Sequence, residues 1–170
     1  YFFSGGIYIY FKSFFYKEIL YYLRIRPIFA QYLLFYSLIE KRKTMLEPGL
    51  SCTVKVQVTT SQTALSMGSG DLPVFATPAM VALMEQAAMK AVAPFLPEGS
   101  TTVGCMVECT HLAPTPLGED VEATAVLECI EGRKLHFRIF AKEGDKLLGE
   151  GSHTRVVVDR QKFMERIQQG

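Results

Sequence analysis

The stretch Phe75–Leu96, FATPAMVALMEQAAMKAVAPFL, decides the architecture of this chain. Thr77 followed by Pro78 reads as an N-cap and a first helical residue: the hydroxyl can accept from first-turn N–H groups, and proline already has a helical φ. Pro94 disfavours helical backbone just before it, so the helix is expected to end near Val92 or Ala93. Between those marks only Glu85, Gln86 and Lys90 are neither apolar nor small. Gln86 and Lys90 lie one turn apart on a common face, which reads as the solvent side. Glu85 does not sit with them. Its neighbours a turn away are Val81, Ala82, Ala88 and Met89, which puts its carboxylate against apolar surface. There it must be paired, protonated or functional, because burying a bare charge is costly. The alternative is a half-exposed side chain whose stem lies along the helix. One sheet does not cover a helix with so little polar surface, so a partner chain is expected across it.

Upstream of the helix, residues 51–60 alternate Val54, Val56 and Val58 with Lys55, Gln57 and Thr59, the pattern of a half-buried strand. Residues 61–74 are rich in Ser, Gly and Thr. Their glycine spacing lacks the preceding strand and following lysine of a phosphate-binding loop. A flexible cover over the helix start is the expectation. Downstream, a turn at 97–99 leads into residues 101–110, a β-branched run ending at His111. Alternation would set Val103, Cys105, Val107, Cys109 and His111 on one face. Cysteines at 105, 109 and 129 fall inside strand patterns, where they read as small core residues. A stiff proline-rich loop follows at 113–118, then strands at 119–131 and 134–142 joined around Gly132. A second hairpin turns at Gly144-Asp145 into a last strand at 147–158. A short helix, 159–169, closes the chain with Phe163 and Ile167 on one side. Strand, long helix, then four antiparallel strands is an α+β arrangement, a sheet wrapped around one apolar helix.

The 170 residues suit one domain with a real core, and a net charge of +1 implies no nucleic-acid partner. That average hides two compositions. Residues 1–44 hold all eight tyrosines and seven of the twelve phenylalanines, with no Val, Asp, Cys or Met, and seven Lys or Arg against two Glu. From Met45 onward the balance is acidic. The uncharged runs at 1–11 and 27–39 are each shorter than a membrane span needs, and no signal-peptide pattern is clear. The domain is therefore expected at 45–170, with 1–44 an extension outside its core whose residue usage resembles translated non-coding sequence. The alternatives are an amphipathic segment lying at a membrane interface, with Lys12, Lys17 and Lys41-Arg42-Lys43 facing head groups, and a genuine domain extension. The four cysteines show neither a CxxC pair nor metal-finger spacing, which fits a reduced, cytoplasmic setting.

Three histidines are available. His111 closes a strand ahead of the proline-rich loop and belongs at a sheet edge or cleft, although a strand-end histidine is commonly an ordinary surface or capping residue. His136 reads as solvent-facing. His153 shares a face with Arg155, and the sequence ranks it no further. No HxxxH, HExxH or carboxylate–histidine cluster marks a metal site, and no GxSxG elbow marks an α/β-hydrolase serine.

Three motifs in order carry a resemblance. They are Val74-Phe75-Ala76-Thr77 running into Met80-Val81-Ala82-Leu83-Met84-Glu85, then Thr110-His111-Leu112-Ala113-Pro114-Thr115-Pro116, then Gly149-Glu150-Gly151-Ser152-His153-Thr154-Arg155. Over roughly residues 50–165 the chain resembles the fluoroacetyl-CoA thioesterase-like branch of the hotdog-fold family. The resemblance implies a hotdog fold, assembly as a homodimer or a tetramer of two such dimers, and hydrolysis of small acyl-CoA thioesters without a cofactor. It places the catalytic Thr, Glu and His on Thr77, Glu85 and His111, and a substrate-contacting Gly and Arg on Gly104 and Arg155. One departure concerns specificity. The fluoroacetyl-specific enzyme has an aromatic lid ahead of its catalytic threonine, whereas this chain has Gly68–Leu72 there. A general short-chain acyl-CoA is the expected substrate.

The residues fit that chemistry on their own terms. A carboxyl in an apolar wall holds its proton more tightly than one in water, which suits Glu85 to act as base or nucleophile. Thr77 can hold a water or the carbonyl, with helix N–H groups at 78–80 steadying an oxyanion. His111 can move a proton to the leaving group or the substrate α-carbon. Other readings are a hotdog enoyl-CoA hydratase or dehydratase and a non-catalytic acyl-CoA-binding module. A helix unbroken from Pro78 sets Thr77 and Glu85 ~12 Å apart along its axis. Either the helix begins later, or each site takes Thr77 from one subunit and Glu85 from the other. The second is favoured, because the apolar helix already asks for a partner across a two-fold axis.

Overall fold

The computed structural model describes residues 31–36 and 45–169. The chain divides into two compact units, Tyr1–Thr44 and Met45–Gly170. In the first, residues 31–36 are helical. The readings made for residues 1–30 and 37–44 lie outside the described residues. No described helix is long and apolar enough to cross a membrane.

The second unit has five strands, β1 (Ser51–Gln57), β2 (Ser100–His111), β3 (Asp120–Glu131), β4 (Lys134–Glu143) and β5 (Lys146–Asp159). All neighbours run antiparallel in the order β1-β3-β4-β5-β2, so β1 and β2 are the edges. Three helices accompany them: α1 (Ala64–Met67), the long α2 (Thr77–Val92) and α3 (Arg160–Gln169). The expected α+β arrangement is realised, with α2 packed against β1, β3, β4 and β2.

Ala and Met dominate α2 and are among the strongest helix formers, and its buried positions recur at helical spacing: Met80, Leu83, Met84, Ala87, Ala88, Ala91 and Val92. Opposite them every second residue of β3 and β4 points inward, giving Val121, Ala123, Ala125 and Leu127, then Leu135, Phe137, Ile139 and Ala141. Alanines on both sides let the helix lie close to the sheet. Gln86 and Lys90 are exposed, as their spacing predicts. Pro94 ends the helix at Val92, and residues Ala93–Phe95 tighten into one 3₁₀ turn.

Three local expectations change. Thr77 is not the N-cap: Ala76 holds that position, Thr77 is the first helical residue and Pro78 the second. The threonine hydroxyl is thereby released from capping. Residues 61–74 are not an open cover but a folded strap, with a 3₁₀ turn at Thr60–Gln62 followed by α1. The side chain of Thr63 caps α1 by accepting from the Ser66 N–H, and bridges Thr63–Phe75 and Val74–Pro116 tie the strap to its surroundings. Finally, Cys105 and Cys129 are exposed rather than core residues. Both stand at register shifts, between Gly104 and Met106 in β2 and between Leu127 and Cys129 in β3, where an extra residue breaks the alternation.

Candidate active site

Freed from capping, the Thr77 hydroxyl meets His111 at the end of β2, with 2.8 Å between Oγ1 and Nδ1. The pair lines a cleft of 280 Å³ together with Ala64 and Ser69 of the strap, Val74, Phe75, and Leu112, Ala113 and Pro114 of the proline-rich loop. That loop is held from behind: the buried Thr115 hydroxyl donates to Glu143 at 2.9 Å, and Lys146 donates to the Pro114 carbonyl at 2.8 Å. His111 Nε2 is buried and has no hydrogen-bond partner among the described residues, so the ring meets Thr77 with one nitrogen and leaves the other unpaired.

Eight residues along an unbroken α2, Glu85 stands in a different setting. Its carboxylate does not face an apolar wall. Oε1 lies 3.5 Å from Nε2 of His153 and 3.9 Å from Nη1 of Arg155, both projecting from β5. Gly104, on β2, lies directly beneath: a Cβ there would be 2.5 Å from the same oxygen. Arg155 is buried and doubly held on Thr102, donating from Nε to the hydroxyl at 2.8 Å and from Nη2 to the carbonyl at 2.9 Å. Burial lowers its pKa, against the attraction of Glu85, and a guanidinium keeps its charge throughout the physiological range.

Strand β2 reaches both settings because of its bulge. Gly104 and His111 are seven residues apart, an odd separation that would put them on opposite faces of a regular strand. The extra residue at 105 restores the parity. Thr102 and Gly104 face the helix before it, and Val107, Cys109 and His111 after it, so the single face expected from strict alternation is corrected at Val103 and Cys105.

Of the five residues expected at the site, then, Thr77 joins His111 and Glu85 joins Gly104 and Arg155. The two groups do not meet within one chain. The first-turn N–H groups at 78–80 are also corrected: proline has none, and Met80 N–H donates to the Ala76 carbonyl at 3.0 Å. Those of Thr77 and Ala79 are left, as the start of a helix requires. His153 is the residue that the sequence left unranked. Its only signal was to share a strand face with Arg155.

Residues 58–161 match the family model described as fluoroacetyl-CoA-specific thioesterase. This chain belongs to the fluoroacetyl-CoA-specific thioesterase family. A curated relative, the fluoroacetyl-CoA thioesterase of Streptantibioticus cattleyicolor, is 43% identical over 96 residues, which are 56% of this chain and 69% of that protein. Among solved structures, a variant of the fluoroacetyl-CoA thioesterase FlK in complex with acetyl-CoA is 35% identical, with a TM-score of 0.69 over 73% of this chain and 98% of that one. A hot-dog-like protein from Thermanaerovibrio acidaminovorans is 27% identical, with a TM-score of 0.68 over 75% and 94%. The fold is thus the hotdog that the three motifs implied, and the thioesterase family supplies the reaction class against which the two halves of the site are read.

Proposed function

We propose that this chain hydrolyses short-chain acyl-CoA thioesters to the free acid and CoA, at sites that two copies build together. The carrying observation is the pairing of Thr77 with His111 at a cleft whose second imidazole nitrogen is free, while Glu85 stands eight residues further along the same helix. Side chains ~12 Å apart along one axis do not reach one carbonyl. A second copy across a two-fold axis brings its own Glu85, with Gly104 and Arg155, to the Thr77–His111 pair.

In this reading the Glu85 carboxylate takes a proton from water as the water oxygen adds to the thioester carbon, or adds to that carbon itself to give an anhydride that water then opens. The Thr77 hydroxyl and the N–H groups of Thr77 and Ala79 steady the oxyanion. The C–S bond breaks, and the departing CoA thiolate takes a proton by way of His111, a proton that the attacking water makes good, so that Glu85 and His111 both end as they began. Thr77, Glu85 and His111 are the catalytic residues, and Gly104 and Arg155 contact substrate. The catalytic domain is 45–170, with 1–44 an extension that adds nothing to its core. Four free cysteines support a reduced, cytoplasmic setting.

The strap supplies no aromatic side chain to the cleft: its contribution is Ala64, Ser69 and Val74, and the one aromatic in the lining is Phe75 just after it. One methylene in such an apolar pocket changes binding by only ~1–3 kcal/mol, so acetyl, propionyl and butyryl groups are all accepted. The test is thiol release from an acyl-CoA panel, run beside Glu85→Gln. The wild type releases CoA from all three, and the variant keeps its fold while losing turnover by a factor of ~10² or more, the usual scale for a positioned acid–base group. Binding of acyl-CoA without thiol release would make this a binding module instead, and strong preference for a fluorinated acyl group would overturn the open-pocket reading.

A further inference from the structure

His153 is fully buried, and its hydrogen bonds fix where its proton sits. Nδ1 lies 2.7 Å from the Met106 carbonyl oxygen, which can only accept, so Nδ1 carries hydrogen. Nε2 lies 3.2 Å from Nη1 of Arg155, which can only donate, so Nε2 presents its lone pair. The ring is therefore neutral. An imidazolium would put a second positive charge against the guanidinium and leave its Nη1 without an acceptor. Burial acts in the same direction and, with Arg155, pulls the His153 pKa below the ordinary histidine value, opposed by the Met106 bond and by Glu85. The charged and titratable groups around this pair are Glu85 from α2, Arg155 on the same strand and Cys105 of β2 near the guanidinium. From β4 the ring meets only Phe137, with 6.3 Å between centroids. The 3.5 Å approach of Nε2 to Glu85 is consequently not an ion pair: a carboxylate oxygen there faces a lone pair.

We propose that His153 is a positioning residue for the thioesterase reaction: as a neutral Nδ1–H imidazole it accepts a hydrogen bond from Arg155 and so holds the guanidinium beside Glu85 without letting the two collapse into a direct pair. Arg155 is anchored on one side by Thr102 and on the other by His153, and its Nη1 remains 3.9 Å from the carboxylate, beyond a hydrogen bond. The positive charge stays close to Glu85 while the carboxylate lone pairs stay free for a water or the acyl carbon. Without an acceptor at Nε2, Nη1 is released to turn to Oε1 of Glu85, 3.9 Å away, and occupy the base. This role rests on the thioesterase reading above.

Two substitutions separate the ring's two bonds. His153→Asn carries an amide N–H to about the place of Nδ1, keeping the bond to Met106 and offering Arg155 nothing. His153→Gln reaches the place of Nε2 and offers Arg155 a carbonyl oxygen. With the full chain and acetyl-CoA, the asparagine variant loses kcat by about tenfold or more at nearly unchanged KM, as expected for a misplaced base. The glutamine variant recovers most of that loss. An asparagine variant with full kcat in an active wild-type background overturns the proposal alone, as does a loss seen only in KM. A wild type that releases no thiol from any acyl-CoA fails the thioesterase reading and takes this proposal with it. Ring ¹⁵N spectra of the wild type decide the matter should neither variant fold: hydrogen on Nδ1 alone supports the proposal, and hydrogen on Nε2, alone or in an imidazolium at pH 7, overturns it.

Discussion

A methyl group added at Gly104 would stand 2.5 Å from Oε1 of Glu85 and 3.1 Å from Cε1 of His153. The nearest clash is with the tip of a flexible side chain, so the carboxylate swings aside and the strand stays. Gly104→Ala is expected to fold with a melting temperature near the wild type and to lose turnover by ~10-fold or more, because a small displacement of a reacting group is costly. Thiol release beside a thermal melt checks it, and an alanine variant with full turnover would remove Gly104 as the seat of Glu85. At this scale the sequence was informative where chemistry leaves a residue out of place. A carboxylate between alanines and methionines, a threonine at a helix start and a histidine before a proline-rich loop all invite a question. His153 did not, because an alternating strand holds histidine as readily on its wet face as on its dry one. Its neighbours come from other elements, Glu85 of α2, Phe137 of β4 and the Met106 carbonyl of β2, which no spacing within β5 reveals. For the same reason Glu85 was expected against apolar neighbours of its own helix, when its partners come from the sheet below.

Between elements, α2 also comes close to the sheet at Gly149, where a Cβ would come within 2.7 Å of Cε of Met80 and against the Thr110 backbone carbonyl as well. The glycines of Gly149-Glu150-Gly151 therefore serve packing: they let helix and neighbouring strand close over β5, which then brings His153 and Arg155 under Glu85. Gly149→Ala cannot be relieved by one methionine alone, since backbone also stands in the way. It should cost ~1–3 kcal/mol, read in a denaturant melt as a lower midpoint with an unchanged slope. A neutral substitution would mean that the helix rides looser than the structure has it. Elements themselves were readable from alternation and from Pro94, within a residue or two at most ends. The register shifts were not, because an inserted residue leaves no compositional trace: Gly-Cys-Met reads as ordinary strand.

For the whole molecule, the unbroken α2 is what separates Thr77 from Glu85, and the proposed site is therefore one that a second copy completes. Co-expressing a Thr77→Val chain with a Glu85→Gln chain and isolating the mixed dimer tests this directly. In a shared arrangement one of its two sites combines an intact Thr77 with an intact Glu85, and activity returns to about half the wild-type level. An inactive mixed dimer would mean that the two residues serve one site within a chain by a route the helix does not allow as it stands. The proposal of a second copy starts from a feature legible in the sequence, an apolar helix with little polar surface. The geometry of such pairing was not legible there, since pairing across a two-fold axis is a property of surfaces and not of spacing.

The extra residue in β2 has a further consequence for anyone who edits this strand. Side chains there are counted in twos, and the site uses both ends of the count. Straightening the strand at constant length, so that residue 105 takes its turn in the alternation, would leave the composition of the strand unchanged and put every side chain downstream out of phase. Either the histidine or the floor under Glu85 would turn away from the helix, with the sheet itself intact. Homologous segments can be exchanged here only with the bulge carried over, however closely their residues agree.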